Sequence, residues 1–335
     1  VKAIFDGRWV RLGGEGRTLY EQGGYGRPEG GGLRLAPQEA LYLMERGKVE
    51  VQEYSFDALL GYFAGQQNFI RSYLVYRDIR ERGYVVQPGP HDFRVFRRGH
   101  KPGGGRSQYL IRVLSERDLI EFERLSEDVL SSTNMRKQYV LAVVDDEDEL
   151  TYYEVKVQNL PEIAPPAHGE PVNAAVYGTY ALAHLSPGST LEENWYGKRL
   201  DAERLMLRPV ETIYLVRRDG LSLRSDGAVI DADTFVEIVG EKDVEIREKE
   251  RVYADLRDKG YIPRTGYKFG HHFRVYSGKK THSEMLVHAM PSGVSLPMST
   301  ISRSVRLAHS VKKKMLFGCV QSIDIRYVEF TRIKL

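Results

Sequence analysis

The alternation of apolar and polar positions predicts the same series of elements twice along the chain. Each series has a helix opened by a proline, Pro37 in "LRLAPQEALYLMERG" and Pro209 in "LMLRPVETIYLVRRDG". A proline costs nothing in a first turn, where its missing N–H has no partner to lose, and Gly47 or Gly220 closes the helix. A charged amphipathic helix follows in "YRDIRERGYVV" (76–86) and "YADLRDKGYIP" (253–263), stopping at Gly83 or Gly260. Strands are expected through "FRVF" (93–96) and "YLI" (109–111), and through "FRVY" (273–276) and "MLV" (285–287). A second helix, around 118–130 and 300–312, leads into a closing hairpin at 139–157 and 315–335.

The two series are two copies of one unit. Tyr42 stands opposite Tyr214, "RSQYLI" (106–111) opposite "HSEMLV" (282–287), and "MRKQYVLAVV" (135–144) opposite "VKKKMLFGCV" (311–320). The offset drifts only between about 171 and 180 residues. Between the copies "NLPEIAPPAHGEPV" (159–172) is proline-rich and lacks either periodicity, which reads as an extended linker. The expected architecture is α+β, a tandem duplication: a first repeat at 1–158, the linker, and a second repeat at 173–335. Each repeat is expected to hold an N-terminal subdomain of helices and antiparallel strands (about 1–66 and 173–243). A C-terminal mixed-sheet, nuclease-like subdomain flanked by helices follows (about 67–158 and 244–335).

Composition adds limits. With 335 residues, 41% hydrophobic and 28% charged, each copy can bury its own core and disorder is not expected. A net charge of +3 says nothing by itself about nucleic acid, so any basic surface must be local. One cysteine, Cys319, excludes internal disulfides and a multi-cysteine zinc site and fits a reducing cytoplasm. No apolar run of 18 residues and no apolar leader is visible, so neither a membrane span nor secretion is expected. The glycine-rich stretches at 23–32 and 103–105 do not join a strand to a helix, and neither is a nucleotide fingerprint.

A duplicated chain supplies its own control: what the copies share is fold, and where they differ chemistry can lie. Tyr276 stands opposite Phe96, His282 opposite Arg106, and Lys313 opposite Lys137. Tyrosine, histidine and lysine suit cleavage of a phosphodiester by its own 2′-hydroxyl, which needs a base, an acid and a cation for the crowded phosphorane. An unperturbed imidazole titrates near neutrality, which suits a histidine at 282 to the acid role, and Lys313 offers fixed charge. A phenol near pKa 10 needs neighbouring cations to ionise. The same residues also have an ordinary reading: a half-buried sheet tyrosine, a loop histidine after "GKKT", and a lysine run at an exposed helix end. The lysine register is open among Lys312, Lys313 and Lys314; pairing with Lys137 selects Lys313.

"GYKFGHHFRVYSG" (266–278), "HSEMLV" (282–287) and "SVRLAHSVKKKML" (304–316) resemble the C-terminal region of archaeal tRNA-splicing endonucleases, and the resemblance extends over both copies. It implies Tyr276 as general base, His282 as general acid and Lys313 as transition-state stabiliser. It implies precursor tRNA, folded as a bulge-helix-bulge at the intron boundaries, as substrate, and a 2′,3′-cyclic phosphate and a 5′-hydroxyl as products, with no metal and no cofactor. Arg306 in "SVRLAHS" and Arg332 in "FTRIKL" match the arginines that clasp a flipped-out bulge base; Leu130 stands opposite Arg306. Five residues separate Tyr276 from His282, a tighter loop than the family's pattern. His271 and His272 precede the strand and are not required by that pattern.

An intron has two ends and this chain one competent site, so a homodimer is expected. The first copy's "DDEDEL" turn, with Asp145, Asp146, Glu147, Asp148 and Glu149, faces "QSID" (321–324) in the second. Such a turn repels itself in isolation and is expected to dock in a basic cleft on the partner's second copy, an arrangement the resemblance also implies. The rivals are a metal-dependent nuclease using Glu284 with Lys313, and a non-catalytic RNA-binding subunit of a mixed complex.

Overall fold

The structure, a computed structural model, describes residues 1–165 and 169–335; positions 166–168 of the expected linker lie outside the described residues. It divides into two compact units, each α+β with its own core, whose bounds differ from those of the expected repeats. The first comprises Val1–Lys156 with Ser295–Arg303 and Phe330–Leu335, the second Val157–Val294 with Ser304–Glu329.

In the first unit an N-terminal sheet carries an antiparallel series closed by a parallel pair, Lys2–Phe5 beside Glu50–Val51. The second unit repeats the parallel pair with Val172–Tyr177 beside Leu221–Ser225 and adds Ala228–Val229 antiparallel at the edge. The proline-led helices form as expected, Pro37–Glu45 and Pro209–Arg217. Both are fixed by a buried glutamate: Glu39 accepts the backbone N–H groups of Ala36 and Gly26, each at 2.8 Å. Glu211 does the same for Arg208 at 3.0 Å and Gly197 at 3.2 Å. Gly47 takes the left-handed backbone that ends the first helix, but in the second copy Asp219, not Gly220, takes it.

The C-terminal subdomains repeat one sheet order. In the first it runs Val86–Pro88, Phe93–Phe96, Ser107–Ser115, Gln138–Val144, Leu150–Gln158. In the second it runs Ile262–Thr265, Phe273–Tyr276, Met285–Met290, Lys314–Val320, Ile325–Ile333. The central pair is parallel in each, and the helix that crosses over is Phe122–Asn134 or Met298–Ser310. These helices start four residues after and two before the expected positions. In the first copy the missing turn is a short strand, Leu119–Glu121, paired antiparallel with Ser295–Pro297.

A buried arginine locks helix to sheet in both copies. Arg80 donates to the Tyr76 hydroxyl at 2.9 Å and stands 3.8 Å over the Tyr25 ring; Arg257 donates to Tyr253 at 3.0 Å and stands 4.1 Å over Tyr196. Such a guanidinium offsets its desolvation with hydrogen bonds and ring faces. The linker is not a bare spacer: Ile163 donates its N–H to the Lys259 carbonyl at 2.7 Å. A Cβ on Gly260 would lie 2.4 Å from the Ile163 oxygen, so glycine is required there.

Candidate active site

In the second unit the loop 277–284 that follows strand Phe273–Tyr276 and the end of helix Met298–Ser310 border an open groove of about 1540 Å³. Five lysines line it, Lys279, Lys280, Lys312, Lys313 and Lys314, with His282 and His309, against two carboxylates, Glu284 and Glu329. Its apolar wall includes Leu160, Pro161 and Ile163 from the linker.

Helix-end geometry separates the three lysines. Lys312 adopts a left-handed backbone (φ 56°), as Arg136 does in the first copy (φ 58°). The next residue then donates its N–H back into the helix: Lys313 to Ala308 at 2.8 Å and Lys137 to Ser132 at 2.9 Å. The two helix ends therefore superpose in register with Lys313 opposite Lys137. The Lys313 ammonium donates to the Ser283 carbonyl at 2.8 Å, which ties it to the backbone beside the exposed His282. Lys314 faces Glu329 at 3.8 Å, and Lys312 is exposed.

Tyr276 is placed differently. It is buried, with 7% of its surface exposed, and its ring meets Trp195 edge-on at 5.5 Å. The Arg274 guanidinium lies 5.9 Å from the ring centroid. His282 and Lys313 share the groove, whereas Tyr276 is not among its lining residues; Ser277, the next residue, is. Trp195 holds a left-handed backbone (φ 60°) where the first copy has Gly24 (φ 63°). A tryptophan in that conformation costs about 1 kcal/mol or more. The difference stood in the aligned "GYGR" and "WYGK", and its meaning emerges only with the ring contact.

Arg306 is exposed on helix Met298–Ser310 and Arg332 is exposed on strand Ile325–Ile333, the first in the second compact unit and the other in the first. In the acidic turn Asp145 accepts the N–H groups of Glu147 and Glu149, each at 2.9 Å, and Asp146 pairs with Arg117. The turn is thus internally satisfied at Asp145, while Glu147, Asp148 and Glu149 are exposed.

Two places could hold a metal. Glu284 accepts from the Ser277 hydroxyl at 2.7 Å and from Lys280, whose bond is the main cause holding its carboxyl below the usual range. Donor atoms of Glu245, His272 and His288 lie within 4.8 Å of one another. There His272 Nδ1 accepts the Ala289 N–H at 3.0 Å, so the ring proton sits on Nε2, 3.4 Å from Glu245. A cation at Nε2 would move that proton to Nδ1, directly against the amide hydrogen, whereas ligating histidines donate from their second nitrogen. The first copy uses Asp92 for the same task, accepting the Val113 N–H at 2.8 Å. Burial pushes His271 and His272 down to about 4 and lowers His288. These are structural imidazoles. Among the described residues, no helix is long and apolar enough to cross a membrane.

Comparison with known proteins agrees with the duplication. The profile of the tRNA intron endonuclease catalytic C-terminal domain matches residues 69–152 and again 246–327, and that of the family's N-terminal domain matches 1–60 and 186–236. The chain is 40% identical over 332 residues to the tRNA-splicing endonuclease of Methanosarcina barkeri, covering 95% of each chain. It is 40% identical over 335 residues to that of Methanococcoides burtonii, again covering 95% of each. It is 33% identical over 345 residues to that of Natronomonas pharaonis, covering 97% of each. With both family domains matched twice and near-complete coverage of such relatives, the chain belongs to the tRNA-splicing endonuclease family.

Proposed function

We propose that the second copy cuts precursor tRNA at both intron boundaries, within a bulge-helix-bulge, by attack of a 2′-hydroxyl on the adjacent phosphodiester. The observation that carries this reading is the pairing of His282 with a tethered Lys313 in one basic groove, in a chain of this family. Tyr276 removes the 2′ proton, Lys313 stabilises the phosphorane, and His282 protonates the departing 5′ oxygen; the bond from phosphorus to the 2′ oxygen forms as that to the 5′ oxygen breaks. The products are a 2′,3′-cyclic phosphate and a 5′-hydroxyl. Arg306 and Arg332 hold an extruded bulge base. The chain acts as a homodimer, with the first copy's acidic turn in a basic cleft of the partner's second copy.

The test is incubation of the purified chain with an intron-containing tRNA transcript in EDTA, followed by analysis of the ends. Cleavage with cyclic phosphate ends is expected. Chelator-sensitive cutting, or 3′-hydroxyl ends, would favour a metal-dependent nuclease, and binding without cleavage a non-catalytic subunit.

The position of Tyr276 supports a second reading of that residue. A ring seated on Trp195 and absent from the groove lining is a packing residue until the loop 277–281 moves. In that case water or another group accepts the proton.

A further inference from the structure

The first copy retains the cavity that corresponds to the catalytic groove. It has about 540 Å³ and is lined by Arg97, His100, Arg106, Arg136 and the polar side chains of Ser107, Gln108 and Gln138. Arg106 and Arg136 are the counterparts of His282 and Lys312, and Arg97 that of Ser277. The chemistry has been exchanged. Phe96 replaces the tyrosine, and an arginine, which does not give up its proton, replaces the histidine. Gln108 replaces Glu284, so no carboxylate lines this cavity, whereas two line the catalytic groove. Glu154, the nearest counterpart of Glu329, is engaged by the Gln138 amide at 2.7 Å and the Lys156 ammonium at 3.1 Å. Among the described residues, Arg97, Arg106 and Arg136 are exposed and form no ion pair. Three unneutralised guanidiniums around a concave site, with uncharged amides and a serine between them, match the charge and the planar donor geometry of phosphate oxygens.

We propose that this cavity binds the phosphate backbone of RNA, as a non-catalytic hold on the substrate separate from the cutting site. The choice of RNA rests on the function proposed above; the anion-binding character rests on the cavity itself. Binding there adds sequence-independent affinity and does not enter the chemical step.

The test compares wild type with an Arg97→Gln/Arg106→Gln/Arg136→Gln variant. Affinity for an intron-containing transcript is measured over a range of KCl concentrations, with His282→Ala added to both to prevent turnover. Each lost phosphate contact should flatten the slope of log affinity against log salt by about 0.7–0.9, so a total change of about 2 to 3 is expected for the three. A loss of about 10- to 100-fold at low salt should shrink as salt rises. In the His282 background of the native chain, cleavage at saturating RNA should be unchanged, and Arg→Lys at the three positions should keep the slope. An unchanged slope in a variant with native melting behaviour overturns the proposal. So does weaker self-association with an unchanged slope, which would assign the cavity to an acidic segment of a second copy. A wild type that binds RNA but never cuts it would sink the proposed function and leave this inference standing.

Discussion

Tyr276 and Phe96 differ by one oxygen, and both are buried at the end of the same strand. Tyr276→Phe should therefore leave the melting temperature nearly unchanged and reduce single-turnover cleavage by about 10²- to 10⁴-fold if the phenol is the base. Near-native cleavage would make Tyr276 a packing residue against Trp195. The lysine register gives a sharper comparison, because the ammonium of Lys313 is fastened to Ser283 while Lys312 spends its backbone on ending the helix. Lys313→Met should reduce cleavage by about 10²-fold or more, and Lys312→Met by far less; equal losses would remove the distinction. The register of Lys313 with Lys137 was legible from the sequence, and the matching helix ends repeat it. The supporting role of Trp195 was not, since nothing in a sequence says that a tryptophan will take a left-handed backbone and turn its ring to a residue 81 positions away.

At the scale of elements, proline starts and glycine stops made four helices readable, Pro37–Glu45, Phe69–Glu81, Pro209–Arg217 and Ile246–Asp258, and hydrophobic spacing the strands; the helices Arg17–Gly23, Phe56–Ala64 and Ala232–Gly240 were not expected. The crossover helices were misplaced for two physical reasons. Their ends carry no stop signal, because Arg136 and Lys312, not glycine or asparagine, take the left-handed turn. The run Leu119–Glu121 has a strand partner at Ser295–Pro297, and a run of three residues has too little period to distinguish strand from helix. The strand-leading histidines carry a further consequence. His271 and His272 take up protons near 4 in the fold because burial disfavours their charge, but near 6.5 when unfolded; Glu245 opposes this shift at His272, and Lys249 reinforces it. Between those values the unfolded chain binds more protons, so stability rises with pH. The melting temperature should fall as pH drops from 6.5 towards 4. His271→Gln with His272→Asn, which keeps an acceptor for Ala289 as Asp92 does for Val113, should flatten that fall in a thermal melt series.

Across the whole molecule, the homodimer proposed above gives two cutting sites for two boundaries. Asp145 is committed to its own turn and Asp146 to Arg117, so the proposed docking assigns the contact to Glu147, Asp148 and Glu149. Asp148 has φ 61°, a conformation asparagine tolerates well, so Asp148→Asn with Glu147→Gln and Glu149→Gln should spare the fold. Sedimentation velocity should show weaker self-association, with a parallel loss of cleavage in dilute protein; a monomeric native chain would rule the docking out. The seat of Leu160, Pro161 and Ile163 against the groove, pinned at Gly260, has its own consequence for how a gene could be divided. Two co-expressed half-proteins could replace the single chain if the break fell just before Asn159, because the downstream half would then bring its own wall. A break at Gly169 would hand that wall to the wrong polypeptide, and the pair should cut poorly even if both halves are made in equal amounts.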